Sequence, residues 1–311
     1  MRFFRETHID FLGKRKTWYA VSAGLIFIGF VSILVRGVSL GIDFLGGTEL
    51  VVRFDRPVEI GDVRAALSAK GLGRSEIKTF GSSRDILIRT GEQASGTALG
   101  DTMRVTLRDA FSNNAFTLLK EDKIGPRIGE ELRRDAVYAL FASLIVILIY
   151  IGFRFKFIYG VAGVIALFHD AFVTLGLCSL LNGLSPYLNL EMTQNMVAAF
   201  LTLIGFSIND TVVIFDRIRE NLKIYRTEDL ATIMNKSVNQ TLSRTIITSG
   251  TVFAVLLVLF LFGGEVNRGF AFAFLIGTIS GSYSTIFVAS AIVLDWTRYR
   301  KKRVQAMKVA A

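Results

Sequence analysis

The residues best suited to chemistry lie inside the most apolar part of the chain. Between Met196 and Asn221 a run of Val, Ala, Phe, Leu and Ile is interrupted by Asn209 and Asp210 side by side. A carboxylate at the centre of a membrane span costs roughly 2.5–3.5 kcal/mol on insertion scales, so it normally faces a partner or a watery path. Ser207, Asp210 and Thr211 fall at i, i+3 and i+4 and share one helix face. That grouping suits a titrating site within a helix bundle. It equally suits polar residues that only tie helices together. His169 and Asp170 interrupt an earlier apolar run, with the make-up of a proton relay or of an interhelical hydrogen-bond pair. Arg244 stands where a later apolar run begins. At the interface a snorkelling arginine is ordinary, whereas a helix starting near Lys236 carries it two turns inward as a counter-charge for Asp210.

Such residues need membrane helices to position them, and the composition provides for them. The chain has 311 residues, is 51% hydrophobic and has a mean hydropathy of +0.48, values typical of a polytopic membrane protein. Its net charge of +10 is unevenly spread. Of 36 Lys and Arg, 19 lie in the segments 1–17, 154–156, 217–244 and 295–311, while the loops 182–194 and 263–268 contain only Arg268. That asymmetry is the positive-inside pattern, which puts both termini in the cytoplasm and argues against nucleic acid. With one cysteine, Cys178, no internal disulfide forms and a two-cysteine metal site is excluded. Neither a nucleophile–base set nor a nucleotide loop is visible, so no enzyme is expected.

Hydropathy predicts six spans, at 18–36, 136–153, 157–181, 193–216, 241–263 and 269–294. Residues 1–17 read as a cytoplasmic interfacial segment and 295–311 as a cytoplasmic tail. The loop 217–240 carries an amphipathic helix capped by Thr227 and ending near Asn239. Gly277 and Gly281, flanked by Ser280 and Ser284, have the small-residue spacing that lets another helix approach closely. Residues 37–135, with 15 basic and 15 acidic residues, alternate strand and helix patterns in the order βαββαβ. That order predicts a ferredoxin-like antiparallel sheet with both helices on one face, lying outside the membrane. Gly46-Gly47 reads as a tight turn into the first strand, with no phosphate-loop pattern around it.

Five stretches carry a resemblance: Leu40 to Thr48 (LGIDFLGGT), Gly125 to Leu132 (GPRIGEEL), His169-Asp170, Gly205 to Asn221 (GFSINDTVVIFDRIREN) and Asn239 to Thr245 (NQTLSRT). Nearly end to end, the chain resembles the SecF family, subunits of the bacterial SecD–SecF protein-export complex in the resistance-nodulation-division (RND) superfamily. The resemblance implies a multi-pass protein of the bacterial inner membrane, driven by protons or sodium ions and needing no other cofactor. Asp210 and Arg244 match the residues that the family assigns to ion coupling. The implied partners are SecD, the SecYEG translocon, preproteins and membrane lipids. Two other readings stay open, a half-size RND-type exporter of lipids or drugs and a passive membrane scaffold.

Overall fold

The computed structural model describes residues 7–91, 98–185 and 188–310. Residues 1–6 of the interfacial segment, Pro186 in the third-to-fourth loop and the last residue lie outside the described residues. Among the described residues, six helices are long and apolar enough to cross a membrane. They are α1 (Arg15–Arg36), α5 (Pro126–Arg154), α6 (Phe157–Leu181), α7 (Gln194–Ile224), α8 (Leu230–Phe262) and a long sixth span. The last comprises α9 (Gly264–Ser284), a π-helical turn at Thr285–Ala289 and α10 (Ser290–Ala310). α6, α7 and the sixth span form the buried centre, with α1, α5 and α8 around them.

Small residues let these helices close up. A Cβ on Gly277 would lie 2.5 Å from the Leu203 side chain, and one on Gly281 would lie 2.9 Å from Ser207 Oγ. The glycine pair expected to permit close packing therefore seats α9 directly on α7. Gly29 of α1 and Gly176 of α6 meet in the same way, with a Cβ on Gly29 only 2.9 Å from the Gly176 Cα.

The helix expected at 217–240 differs from its sequence reading. No break separates it from the fifth span, so α8 runs continuously from Leu230, and Asp229 rather than Thr227 caps it by accepting from Ala231 N at 3.1 Å. The residues from 236 to 245 include no Gly or Pro to interrupt the helix, so the ladder continues through the polar stretch. Arg244 thus lies well inside a helix rather than at its start.

Between α1 and α5 sits the sheet domain. It contains α2 (Ile42–Leu45), β1 (Gly47–Phe54), α3 (Ile60–Ser68), β2 (Glu76–Phe80), β3 (Ser82–Thr90), α4 (Ala98–Ala110) and β4 (Phe116–Ile124). The strands are antiparallel in the order β2-β3-β1-β4, the expected ferredoxin-like arrangement. Val63 and Leu67 of α3 and Met103 and Leu107 of α4 pack on Leu50, Val52, Ile86 and Ile88, covering one face. Gly46 and Gly47 have φ of 74° and 125°, and a Cβ on Gly47 would lie 2.4 Å from Thr90 O. Only glycine fits the turn that swings the chain from the short α2 into β1.

Candidate functional site

α6 brings Asp170 to the centre of the bundle, where its side chain is 1% exposed. Four donors from three helices converge on it. Ser207 Oγ of α7 and Ser284 Oγ of α9 donate to Oδ2 at 2.7 and 2.8 Å. Ser280 Oγ of α9 donates to Oδ1 at 2.8 Å, and His169 Nδ1 lies 3.0 Å from the same oxygen. A carboxylate only accepts, so with Asp170 ionised His169 carries its proton on Nδ1. His169 Nε2 meets Tyr283 Oη at 2.5 Å, and Tyr283 Oη lies 3.0 Å from Ser22 Oγ of α1. One hydrogen-bonded set therefore spans α1, α6, α7 and α9. In hydrocarbon such bonds have no water to compete with them, so the set ties the four helices together.

Asp210 is one helix turn from Ser207 and equally buried, at 3% exposed. Its surroundings are poorer. Among the described residues one side chain donates to it, Ser249 Oγ of α8 at 3.1 Å. Thr211, its neighbour, bonds Thr285 Oγ1 at 2.9 Å in the π-helical turn, a feature that recurs beside functional sites. Arg244 is close enough to act on Asp210 electrostatically, yet among the described residues no ion pair joins them, and Arg244 is exposed. Asn209 is exposed too, on the outer side of α7.

The structure thus gathers Ser207, Asp170 and His169 into one cluster, sets Asp210 beside it, and leaves Asn209 and Arg244 on the outer surface. Sequence reasoning missed Ser22, Tyr283 and Ser249. Ser22 and Ser249 sit in spans where serine is common, and only the fold puts them against Tyr283 and Asp210. Ser280 and Ser284, read as packing residues, are also donors; their i, i+4 spacing on a glycine-lined face was the available signal.

A second charged cluster joins the sheet domain to the membrane region. Arg89 of β3 reaches Glu49 at 2.7 Å, Glu76 at 3.1 Å and Glu191, in the 182–194 loop, at 2.7 Å. Lys78 also pairs with Glu191, and Lys120 with Glu49. Burial pushes the Glu191 carboxyl up, but Arg89 and Lys78 overcome it and hold the group below the ordinary glutamate range. Burial likewise opposes the Arg89 charge, and Glu191 and Glu49 more than offset it. Backbone bonds reinforce the junction: Met192 N donates to Ser39 O and Gly41 N to Met192 O.

Comparisons with known proteins agree with one another. The family described as protein export membrane protein SecD/SecF, C-terminal, matches residues 105–299, and the SecD/SecF GG motif matches residues 31–58. The protein translocase subunit SecF of Rhodothermus marinus is 43% identical over 95% of this chain and 95% of its own length. That of Desulfurispirillum indicum is 43% identical over 95% and 93%. The crystal structure of SecDF, a translocon-associated membrane protein from Thermus thermophilus, superposes with a TM-score of 0.83 at 37% identity. It covers 94% of this chain and 39% of that one. SecDF in a super-membrane-facing form gives 0.71 at 35% identity, over 98% and 41%. The chain spans about two-fifths of the length of those two SecDF chains.

Proposed function

The chain belongs to the SecD/SecF family of protein-export membrane proteins, and on that footing we propose that it is an ion-driven SecF-type subunit that works with SecD to complete protein export. Its partners on this reading are SecD, the SecYEG translocon and the preprotein, in the bacterial inner membrane with both termini cytoplasmic. Protons or sodium ions are the coupling ions. The carrying observation is Asp210, a buried carboxylate in a membrane-spanning helix that holds a single side-chain hydrogen bond among the described residues. Such a group can exchange an ion without dismantling the bundle, because few neighbours depend on its charge.

The mechanism is a two-state bundle biased by the charge on Asp210. Ionised, Asp210 attracts a cation, and Arg244 is the candidate; neutralised, it releases that cation and the helices repack. The cluster around Asp170 keeps α1, α6, α7 and α9 moving as one body. One elementary charge crossing 100 mV supplies about 2.3 kcal/mol, so a few ions suffice to move the outer sheet domain. Exposed Asn209 and Arg244 support a partner in the membrane, since polar groups at that depth require a covering surface. SecD is the partner proposed.

Asp210→Asn tests the reading. In vesicles containing this chain with SecD and the translocon, the gradient-dependent part of preprotein export is expected to fall to background. Export that stays fully gradient-dependent overturns ion coupling at Asp210 and favours a passive scaffold.

A further inference from the structure

α8 is peripheral and mostly faces outward, yet its inner face carries hydroxyls at every fourth residue. Ser237, Thr241, Thr245 and Ser249 are all buried, at 0, 8, 3 and 8% exposed. A rise of 1.5 Å per residue makes this stripe roughly 18 Å long. Its upper end is Ser249, the donor to Asp210. At its lower end, toward the termini, Ser237 Oγ accepts from Asn221 Nδ2 at 2.8 Å. Asn221 also bonds Gln240 at 2.9 Å, and exposed Gln240 accepts from Arg217 at 2.7 Å. The stripe therefore runs from a polar surface group to the buried carboxylate.

Small residues that ease helix packing would explain the pattern if every hydroxyl were satisfied within the protein. Ser237 and Thr241 are, each donating to the carbonyl one turn back. Thr245 is not. Its Oγ1 is buried and has no hydrogen-bond partner among the described residues. A valine would fill the same volume without that cost, so a hydroxyl there needs a partner. Side chains one turn apart lie about 5–6 Å from each other, too far for a direct hydrogen bond and right for one bridging water.

We propose that the inner face of α8 carries a file of water from the termini end of the bundle to Asp210, with Thr245 holding the water nearest the carboxylate. The proposal rests on ion coupling at Asp210 and adds the route and its direction. In each transfer Asp210 gives its proton to the adjacent water as bulk water at the Gln240 end takes one up, so the file is left unchanged. The charged groups at its ends are Asp210 and, beside Gln240, Arg217 with its ion-pair partner Glu220, while Arg244 lies on the outer face of α8. Thr245 is a positioning residue, acting on the ion through water.

Accessibility tests the route separately from ion coupling. The chain has a single cysteine, so Cys178→Ala gives a background for single-cysteine variants. The full chain with SecD, in sealed vesicles of each orientation, is exposed to silver ion, and unreacted thiols are then mass-tagged under denaturing conditions. Thr241→Cys and Thr245→Cys are expected to react from the termini side at least about tenfold faster than Leu256→Cys, which is buried beyond Asp210 on the same helix. Thr245→Cys as protected as Leu256→Cys overturns the file, even if Asp210→Asn abolishes coupling. For function, Thr245→Val is expected to slow gradient-driven export about tenfold while Thr245→Ser keeps it. Equal loss in both variants also overturns the assignment, since packing rather than the hydroxyl would then be responsible.

Discussion

Asp170 and Asp210 stand on adjacent helices and share Ser207 as a near neighbour, but they are provisioned in opposite ways. Asp170 accepts from three hydroxyls and an imidazole, and those donors come from α6, α7 and α9. Among the described residues Asp210 accepts from one hydroxyl, and the nearby arginine faces outward. Burial is nearly the same. What separates them is how many other groups donate to the charge. Neutralising Asp170 would weaken the bonds from hydroxyls on two helices, whereas neutralising Asp210 weakens one. A carboxylate that many neighbours need serves as a fastener, and one that few need is free to serve as a switch.

The largest effect should therefore come from Asp170. Asp170→Ala leaves Ser207, Ser280, Ser284 and His169 without their acceptor, and the full chain is expected to lose roughly 3 kcal/mol of stability. Thermal unfolding of the purified protein measures this against Asp210→Asn, expected to unfold close to the parent. Equal unfolding of the two variants would erase the distinction drawn between them.

Glu191 sharpens the comparison from outside the membrane, where an anion has two cations rather than hydroxyls around it. Its carboxyl is held below the ordinary glutamate value, so the stability it adds is fully present above that value, about 4.3, and is lost as pH falls through the folded-state value. The sheet domain should stay docked to the 182–194 loop from pH 7 to 5 and loosen only below that. Glu191→Gln is expected to loosen it at pH 7 by roughly 1–2 kcal/mol, since Arg89 keeps Glu49 and Glu76. Hydrogen exchange of residues 188–193 against pH reads both effects. Loosening already at pH 6 in the parent would contradict the assigned direction.

Much of this was legible in the chain. Six spans, the βαββαβ order and both carboxylates follow from local periodicity and from the rarity of charge in an apolar run. Gly277 and Gly281 announced the close approach of α9, because only missing side chains permit it. The donor sets were not legible. Ser22 lies 261 residues from Tyr283, and Ser280 lies 110 from Asp170, so no local pattern links them. Arg244 shows a different gap. Spacing along α8 fixes which face it occupies, but only the packing of α7 and α9 decides which face turns inward. Thr245, its neighbour, is the one that faces in.

Single hydroxyls give the smallest and most discriminating test. Among the described residues Ser249→Ala removes the one side-chain donor to Asp210, and Ser284→Ala removes one of four donors to Asp170. Each bond is worth about 0.6 kcal/mol on the average for membrane interiors, so neither variant should unfold readily. Their effects on function should nevertheless diverge. Ser249 touches the group proposed to exchange ions, and its loss is expected to slow gradient-driven export severalfold with stability almost unchanged. Ser284 touches the fastener, where three donors remain, so its loss should lower stability slightly and leave export intact. Export rate and unfolding temperature, measured on both variants, place each serine on one side or the other. If Ser284→Ala slowed export as much as Ser249→Ala, the two carboxylates would have to act as one coupled site.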